Sequence, residues 1–426
     1  MQLKYSLKYE TIINFMFLTN ALIIIGNING ILYGVLGIKA PLSPIILLNS
    51  ITITGLLFFK LKPRGRFGFL VWYFLFFIIM FITLGLASGL FFWQEYHPKA
   101  SVDGGLRRVL PSMIIFYSTY LYFNYQVQVG KLSKLIGQLT IISFLTVLMI
   151  IFGDAVGITT EISGNKDAGR ASGLFANPNG AGLAANYCLG LALTCLFLDK
   201  KGLVLWIGIV SASIYASVIT FSKAAILVTV LLLLLYPGFL LFSFLKTSFY
   251  QKVKLVSIGV IFISSIGFTV VKLQNYLGSL DYHQLQRIEH TVALLSGEIN
   301  EKTTSERSFL WEKAWNRIAD NPIFGYGLES FHRFPDSGLG VHNSFLMIWG
   351  EGGIISIFLF VSFLGLLVVG AFKLKSKIGS ALILGLVLIF SAQDAFTGHN
   401  ALENRLSIMM LALCTALIFH KNKRIV

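Results

Sequence analysis

The chain has 426 residues, of which 55% are hydrophobic and only 12% charged, and its mean hydropathy is +0.76. A protein dispersed in water needs far more polar surface than this, so a soluble globular enzyme or binding domain is excluded. The net charge of +15 raises nucleic acid as a partner, and the way that charge is distributed removes the reading below.

A helix needs about 20 apolar residues to cross about 30 Å of hydrocarbon. By that rule the predicted spans lie near 11–26, 41–59, 67–92, 109–126, 135–157, 176–198, 202–219, 224–244, 255–273, 343–370, 378–396 and 403–420. The expectation is an all-α, polytopic membrane protein of about twelve helices. Its parts are membrane helices over 1–273, an external loop over 274–341 and further membrane helices over 342–426. The first apolar stretch, Thr11 to Gly26, runs on without an Ala-x-Ala-type cleavage site and is read as a retained span. Cys188, Cys195 and Cys414 all fall inside apolar runs, which argues against a disulfide framework and against a cysteine metal site.

The loops test this layout. With the N-terminus in the cytoplasm, 19 of the 34 basic residues fall in cytoplasmic segments, beside only two acids, Glu10 and Asp199. That leaves a charge of about +17 on the inner face and about −2 on the outer one, as the positive-inside rule requires. The excess charge is a topology signal, and no nucleic acid is needed to explain it.

The segment Gln274 to Val341 is far longer than any other loop and carries helix patterning. Leu285, Ile288, Val292 and Leu295 form an amphipathic stripe. Thr303-Thr-Ser-Glu306 reads as a capping box ahead of Phe309, Leu310, Trp311, Ala314, Trp315 and Ile318, with Asn321-Pro322 as the stop. This predicts a two-helix external subdomain resting on the membrane part.

Several polar residues stand at predicted membrane edges. His342-Asn343-Ser344 lies where the long loop re-enters the membrane; a neutral imidazole there can accept a proton, and a simple helix cap is the alternative. Lys223 is the one cation between spans seven and eight, on the outer face where the charge rule gives no reason for it. It reads either as a site residue or as a snorkelling anchor. Arg170 precedes Asn177-Pro178-Asn179-Gly180 at the start of span six, a helix N-terminus that favours anions, or else a plain turn. Arg307, in the long loop, is a candidate substrate ligand. Glu351 and Asp394 are carboxylates inside spans, where such groups are costly and usually paired or functional. A second pair, His399-Asn400, shows how little the dipeptide says alone. No group has metal-ligand spacing.

Taken in order, four segments resemble the O-antigen ligase and O-antigen polymerase superfamily of bacterial membrane glycosyltransferases. They are Arg170…Asn177-Pro-Asn179; Ser222-Lys223-Ala-Ala-Ile-Leu227; Arg307-x3-Trp311 with Pro322-x2-Gly325-x-Gly327; and His342-Asn343 with Glu351-Gly352-Gly353. The resemblance covers about residues 165 to 360, and Lys223 stands where ligases commonly have Arg. It implies transfer of a glycan from undecaprenyl diphosphate to an acceptor hydroxyl at the outer face of the inner membrane, without metal, nucleotide sugar or other cofactor. His342 would deprotonate the acceptor, and Arg170 and Lys223 would hold the diphosphate. Arg307, Asn343 and Asn179 would contribute to substrate binding. Inversion by one direct displacement would follow. The acceptor would be a second lipid-linked glycan, lipid A core or a protein hydroxyl, the last making the chain a protein O-oligosaccharyltransferase. A transporter or flippase for a lipid-linked oligosaccharide is the alternative from another class, although the chain shows no repeated halves.

Overall fold

In a computed structural model of the chain, the described residues are 2–34, 37–38, 42–61, 68–96, 102–156, 170–198 except 176, 202–241, 307–332, 334 and 340–420 except 399, with isolated positions between 249 and 293. Every regular element among them is helical. In chain order these are α1 (Gln2–Ile25), α2 (Ile28–Gly34), α3 (Ser43–Lys60), α4 (Phe69–Tyr96), α5 (Val102–Gln128), α6 (Leu132–Ala155), α7 (Pro178–Leu198), α8 (Leu203–Ile219), α9 (Lys223–Leu241), α10 (Arg307–Asp320), α11 (Ser344–Phe372), α12 (Lys377–Leu388), a π-helix (Ile389–Ala395) and α13 (Arg405–Phe419).

A helix thus stands at each predicted span from 11–26 to 224–244 and from 343–370 to 403–420; the span at 255–273 lies almost wholly outside the described residues. Among the described residues six helices are long and apolar enough to cross a membrane, and four more are apolar but shorter. The count of twelve crossings therefore stays an expectation. In the external loop α10 forms where the sequence predicts it, while the stripe beginning at Leu285 and the capping box at 303–306 fall outside the described residues, apart from isolated positions of the stripe.

The outward flanks of the helices carry large exposed apolar side chains, among them Phe59, Leu90, Phe91 and Val204. In water such a surface would be an aggregation liability; against lipid tails it costs nothing. At the centre lies α7, 94% buried, packed against α6, α8, α9 and α12. Its small residues permit that crowding, as membrane helix interfaces generally require.

Contacts sort the helix ends into two sets. At one, here the lower end, Lys131 pairs with Glu10, His420 meets Asn124, Tyr122 donates to Asn14 Oδ1 at 2.9 Å and Lys60 donates to the Tyr125 hydroxyl at 3.1 Å. At the upper end Ser112 donates to the Leu402 carbonyl, Arg405 Nη2 reaches Ser43 Oγ at 2.7 Å and the Leu328 amide reaches the Gly85 carbonyl at 3.3 Å. Residues 170, 223 and 342 all belong to the upper set, whereas Lys60, Lys131 and Lys377 stand at helix ends of the lower one.

Candidate functional site

The first half of the site is built on the turn between α8 and α9. The Ala171 amide donates to the Ile219 carbonyl at 3.0 Å, which lays the Arg170 segment along the end of α8. Arg170 is 7% exposed; its Nε donates to the Thr220 carbonyl at 3.0 Å and its Nη2 to Asn179 Oδ1 at 3.1 Å. Asn177 caps α7, accepting from the Gly180 amide at 2.8 Å, as an N-cap side chain does. One guanidinium therefore ties the start of α7 to the residue three places before Lys223. Ser222 caps α9 by accepting from the Ala225 amide at 3.4 Å, so Lys223 is the first residue of that helix. Phe221 just before it sits at φ 46°, a left-handed conformation that a bulky residue seldom adopts. Two cations and a helix N-terminus share this corner, and together they favour an anion.

The second half surrounds His342. Its φ is 50°, and strained backbone of this kind persists only where the surroundings over-determine it. They do so here. The Val341 amide donates to the Phe331 carbonyl at 3.3 Å, and the Asn343 side chain accepts from the amides of Phe345 and Leu346 at 3.0 and 3.2 Å. Asn343, 4% exposed, is thus a cap for α11, the bland reading the sequence offered, and in that role it fixes the backbone that carries His342. Asn343→Ala is expected to cost about 1 kcal/mol of stability, read as a lowered melting temperature in detergent.

Below His342, α11 breaks at Gly353, with φ 72° and ψ −175°. The break is where residues 322–327 dock. The amides of Tyr326 and Gly327 donate to the carbonyls of Gly350 and Glu351 at 2.7 and 3.1 Å, and the Ile354 amide donates to Pro322 at 3.0 Å. The Pro322-x2-Gly325-x-Gly327 and Glu351-Gly352-Gly353 motifs are therefore two sides of one joint. Glu351, 5% exposed, turns its carboxylate to the Phe331 amide at 3.3 Å, so it supports the segment that pairs with Val341.

Helix α10 lies over this joint. Leu310, Ala314 and Ile318 face inward, Trp315 packs edge-on against Trp349 at 5.4 Å and Trp311 lies 5.0 Å from Phe396. Arg307 opens α10 one turn before Trp311, which places it on the side of the π-helix.

Residues 389–404 connect the two halves. In the π-helix, Gln393 accepts through Oε1 from Asn186 Nδ2 at 2.7 Å, and Asn186 also donates to the Ala225 carbonyl at 2.9 Å, within the first turn of the Lys223 helix. Eight residues later in sequence the same stretch reaches the His342 side, where the Ala401 amide donates to Ser344 Oγ at 2.8 Å. Asn400 belongs to that turn, donating to Glu403 Oε1 at 2.8 Å, while His399 lies outside the described residues.

Sequence reading missed two groups. One is the amide cluster around Asn186 and Gln393; amides within apolar runs were the available signal. The other is Arg108, whose Nε meets Glu329 at 3.0 Å and whose Nη1 meets Glu403 at 3.6 Å, joining α5 to the external loop and to the start of α13. Burial pushes the Glu403 carboxyl up from the usual carboxylate range, and Arg108 pulls it back. Partners nearly 300 positions apart leave no local mark in a sequence. Among the described residues no group of His, Cys, Asp or Glu could hold a metal ion.

No curated protein matches the chain closely enough to count as a relative. Residues 208–361 match the family model described as O-antigen ligase. The matched stretch contains Lys223, the external loop and His342 with the Gly353 joint, and it stops short of Arg170. Over this stretch, about a third of the chain, the sequence is similar to the O-antigen ligase domain, which supports the resemblance to the O-antigen ligase and polymerase superfamily.

Proposed function

We propose that the protein transfers a glycan from a lipid diphosphate, of the undecaprenyl type, to an acceptor hydroxyl at the extracytoplasmic face of a bacterial inner membrane. The observation that carries this reading is the Arg170–Thr220 bond at 3.0 Å, which holds one cation against the turn that starts the Lys223 helix, with the His342 backbone joined to the same assembly through residues 389–404. Arg170 and Lys223 stabilise the charge that develops on the departing diphosphate, the main electrostatic task in such a displacement. His342 takes the proton from the acceptor hydroxyl as its oxygen attacks the anomeric carbon. The carbon–oxygen bond to the diphosphate breaks with its electron pair going to the leaving group, so the configuration inverts.

A boundary site suits both reactants: the lipid donor arrives sideways from the bilayer and the polar acceptor from water. The test uses purified protein, a glycan on undecaprenyl diphosphate and three acceptors: lipid A core, a second lipid-linked glycan and a Ser/Thr peptide. A new glycosidic bond of inverted configuration is expected with one of the first two; product of retained configuration would rule out direct displacement. Lys223→Arg keeps the charge and is expected to retain most of the transfer, whereas Lys223→Met should raise the donor KM by about tenfold or more, the scale of one lost hydrogen bond to a charged group.

A further inference from the structure

Gln393 sits in the π-helix, 4% exposed, at a depth where unpaired polar atoms are costly. Its orientation follows from its neighbours. Asn186 Nδ2 donates to the Ala225 carbonyl, so that atom is a nitrogen, and the Gln393 atom facing it at 2.7 Å must be an oxygen. Asn186 Oδ1 in turn accepts from the Thr229 hydroxyl at 2.7 Å. The Gln393 amide nitrogen therefore points the other way, and among the described residues Nε2 has no hydrogen-bond partner.

It points at a particular place. A Cβ added at Gly182 would stand 2.6 Å from Ala225 Cβ, 3.1 Å from Thr220 Oγ1 and 3.5 Å from Gln393 Nε2. Without a Cβ, Gly182 packs directly against Ala225 in the first turn of α9, with the Thr220 hydroxyl and the Gln393 amide beside that contact. Thr220 is the residue whose carbonyl holds Arg170. The unpaired donor is directed at the corner where two cations and a helix N-terminus already converge.

We propose that Gln393 is a third binding residue for a diphosphate at this corner, donating Nε2–H to an anion oxygen seated between Arg170 and Lys223. A π-turn is a recurrent way to aim one side chain out of a helix at a functional site. Only the assignment of the anion as the transfer donor's headgroup rests on the reaction proposed above.

The test measures binding of inorganic pyrophosphate to the full-length protein in nanodiscs. Wild-type protein is expected to bind, and Gln393→Met and Gln393→Leu should each weaken binding by about tenfold or more, the scale of a hydrogen bond to a charged group. Thr229→Val removes a bond from the same buried cluster but no donor facing the corner, and its affinity should stay within about twofold because no hydrogen bond to the anion is lost. Unligated melting temperatures establish that each variant is folded. Unchanged affinity in the folded Gln393 variant or variants overturns the assignment; so does an equal loss in Thr229→Val, and so does a wild-type protein that binds no pyrophosphate. A second arm uses polyprenyl diphosphate in the same nanodiscs: tighter binding than pyrophosphate identifies a lipid headgroup and equal binding a free diphosphate, with the Gln393 donor supported by its variants in either case. Weakened pyrophosphate binding in the Gln393 variants, in a protein that transfers no glycan, supports the assignment and overturns only the transfer reading.

Discussion

His342→Ala is expected to lower glycan transfer by about 10²–10⁴-fold, the contribution of a positioned general base, while donor affinity stays near the wild-type value. The split follows from the architecture. The anion corner is held by the Arg170–Thr220 bond and by the Ser222 cap of α9, so binding is expected to survive the loss of the imidazole. His342→Gln should be as impaired as the alanine variant, because an amide fills the place of the ring without accepting a proton at neutral pH. The backbone at this position argues against a mere helix cap: Asn343 already performs the capping, accepting from Phe345 and Leu346. Holding the neighbouring residue at φ 50° costs about 1–2 kcal/mol, and the proposed base role would give that cost a purpose. Donor consumption measured against donor binding separates the two effects. Equal rates in His342→Ala and wild type would remove the base from the mechanism.

Gly353→Val should abolish the folded protein or destabilise it by about 3–5 kcal/mol, the range of severe core substitutions. At φ 72° any L-residue is strained, and a Cβ there would meet the Ile323 carbonyl oxygen at 2.0 Å. The oxygen belongs to backbone that itself accepts from the Ile354 amide at 3.2 Å, so neither side of the joint can retreat. Pushing them apart would also disturb the Glu351–Phe331 contact, and through it the Val341 pairing beside His342. Gly365→Ala, later in the same helix with open space around it, is the control and should change the melting temperature little. Comparable losses in the two variants would mean that the break at Gly353 carries no special role.

Much of this was legible in the sequence because the bilayer imposes length and charge rules on every span. Apolar runs located α1, the helices from α3 to α9 and those from α11 to α13, though not the short α2, and Asn321-Pro322 located the end of α10. The grouping of Arg170, Lys223 and His342 at one end followed from alternating crossings, and their chemical roles came from the family resemblance. Three things were not legible. The π-helix at 389–395 reads as ordinary helix, since hydropathy cannot distinguish one hydrogen-bond register from another. The glycine motifs suggested turns, but that Gly325 and Gly327 dock on the Gly353 break is a long-range fact with no local signature. The clusters at Asn186–Gln393 and Arg108–Glu329–Glu403 join residues distant in the chain, and a polar residue in an apolar run announces a partner without naming it.

On the function proposed, this corner and His342 form one site for glycan transfer from a lipid diphosphate. Purified protein reconstituted in liposomes with a glycan-linked polyprenyl diphosphate and its acceptor tests it most directly, by following the lipid diphosphate and the glycan together. Glycan is expected to appear on the acceptor in step with release of one lipid diphosphate per bond formed. Lipid-linked glycan that crosses the bilayer intact, with no diphosphate released, would contradict the proposed function and point to transport instead.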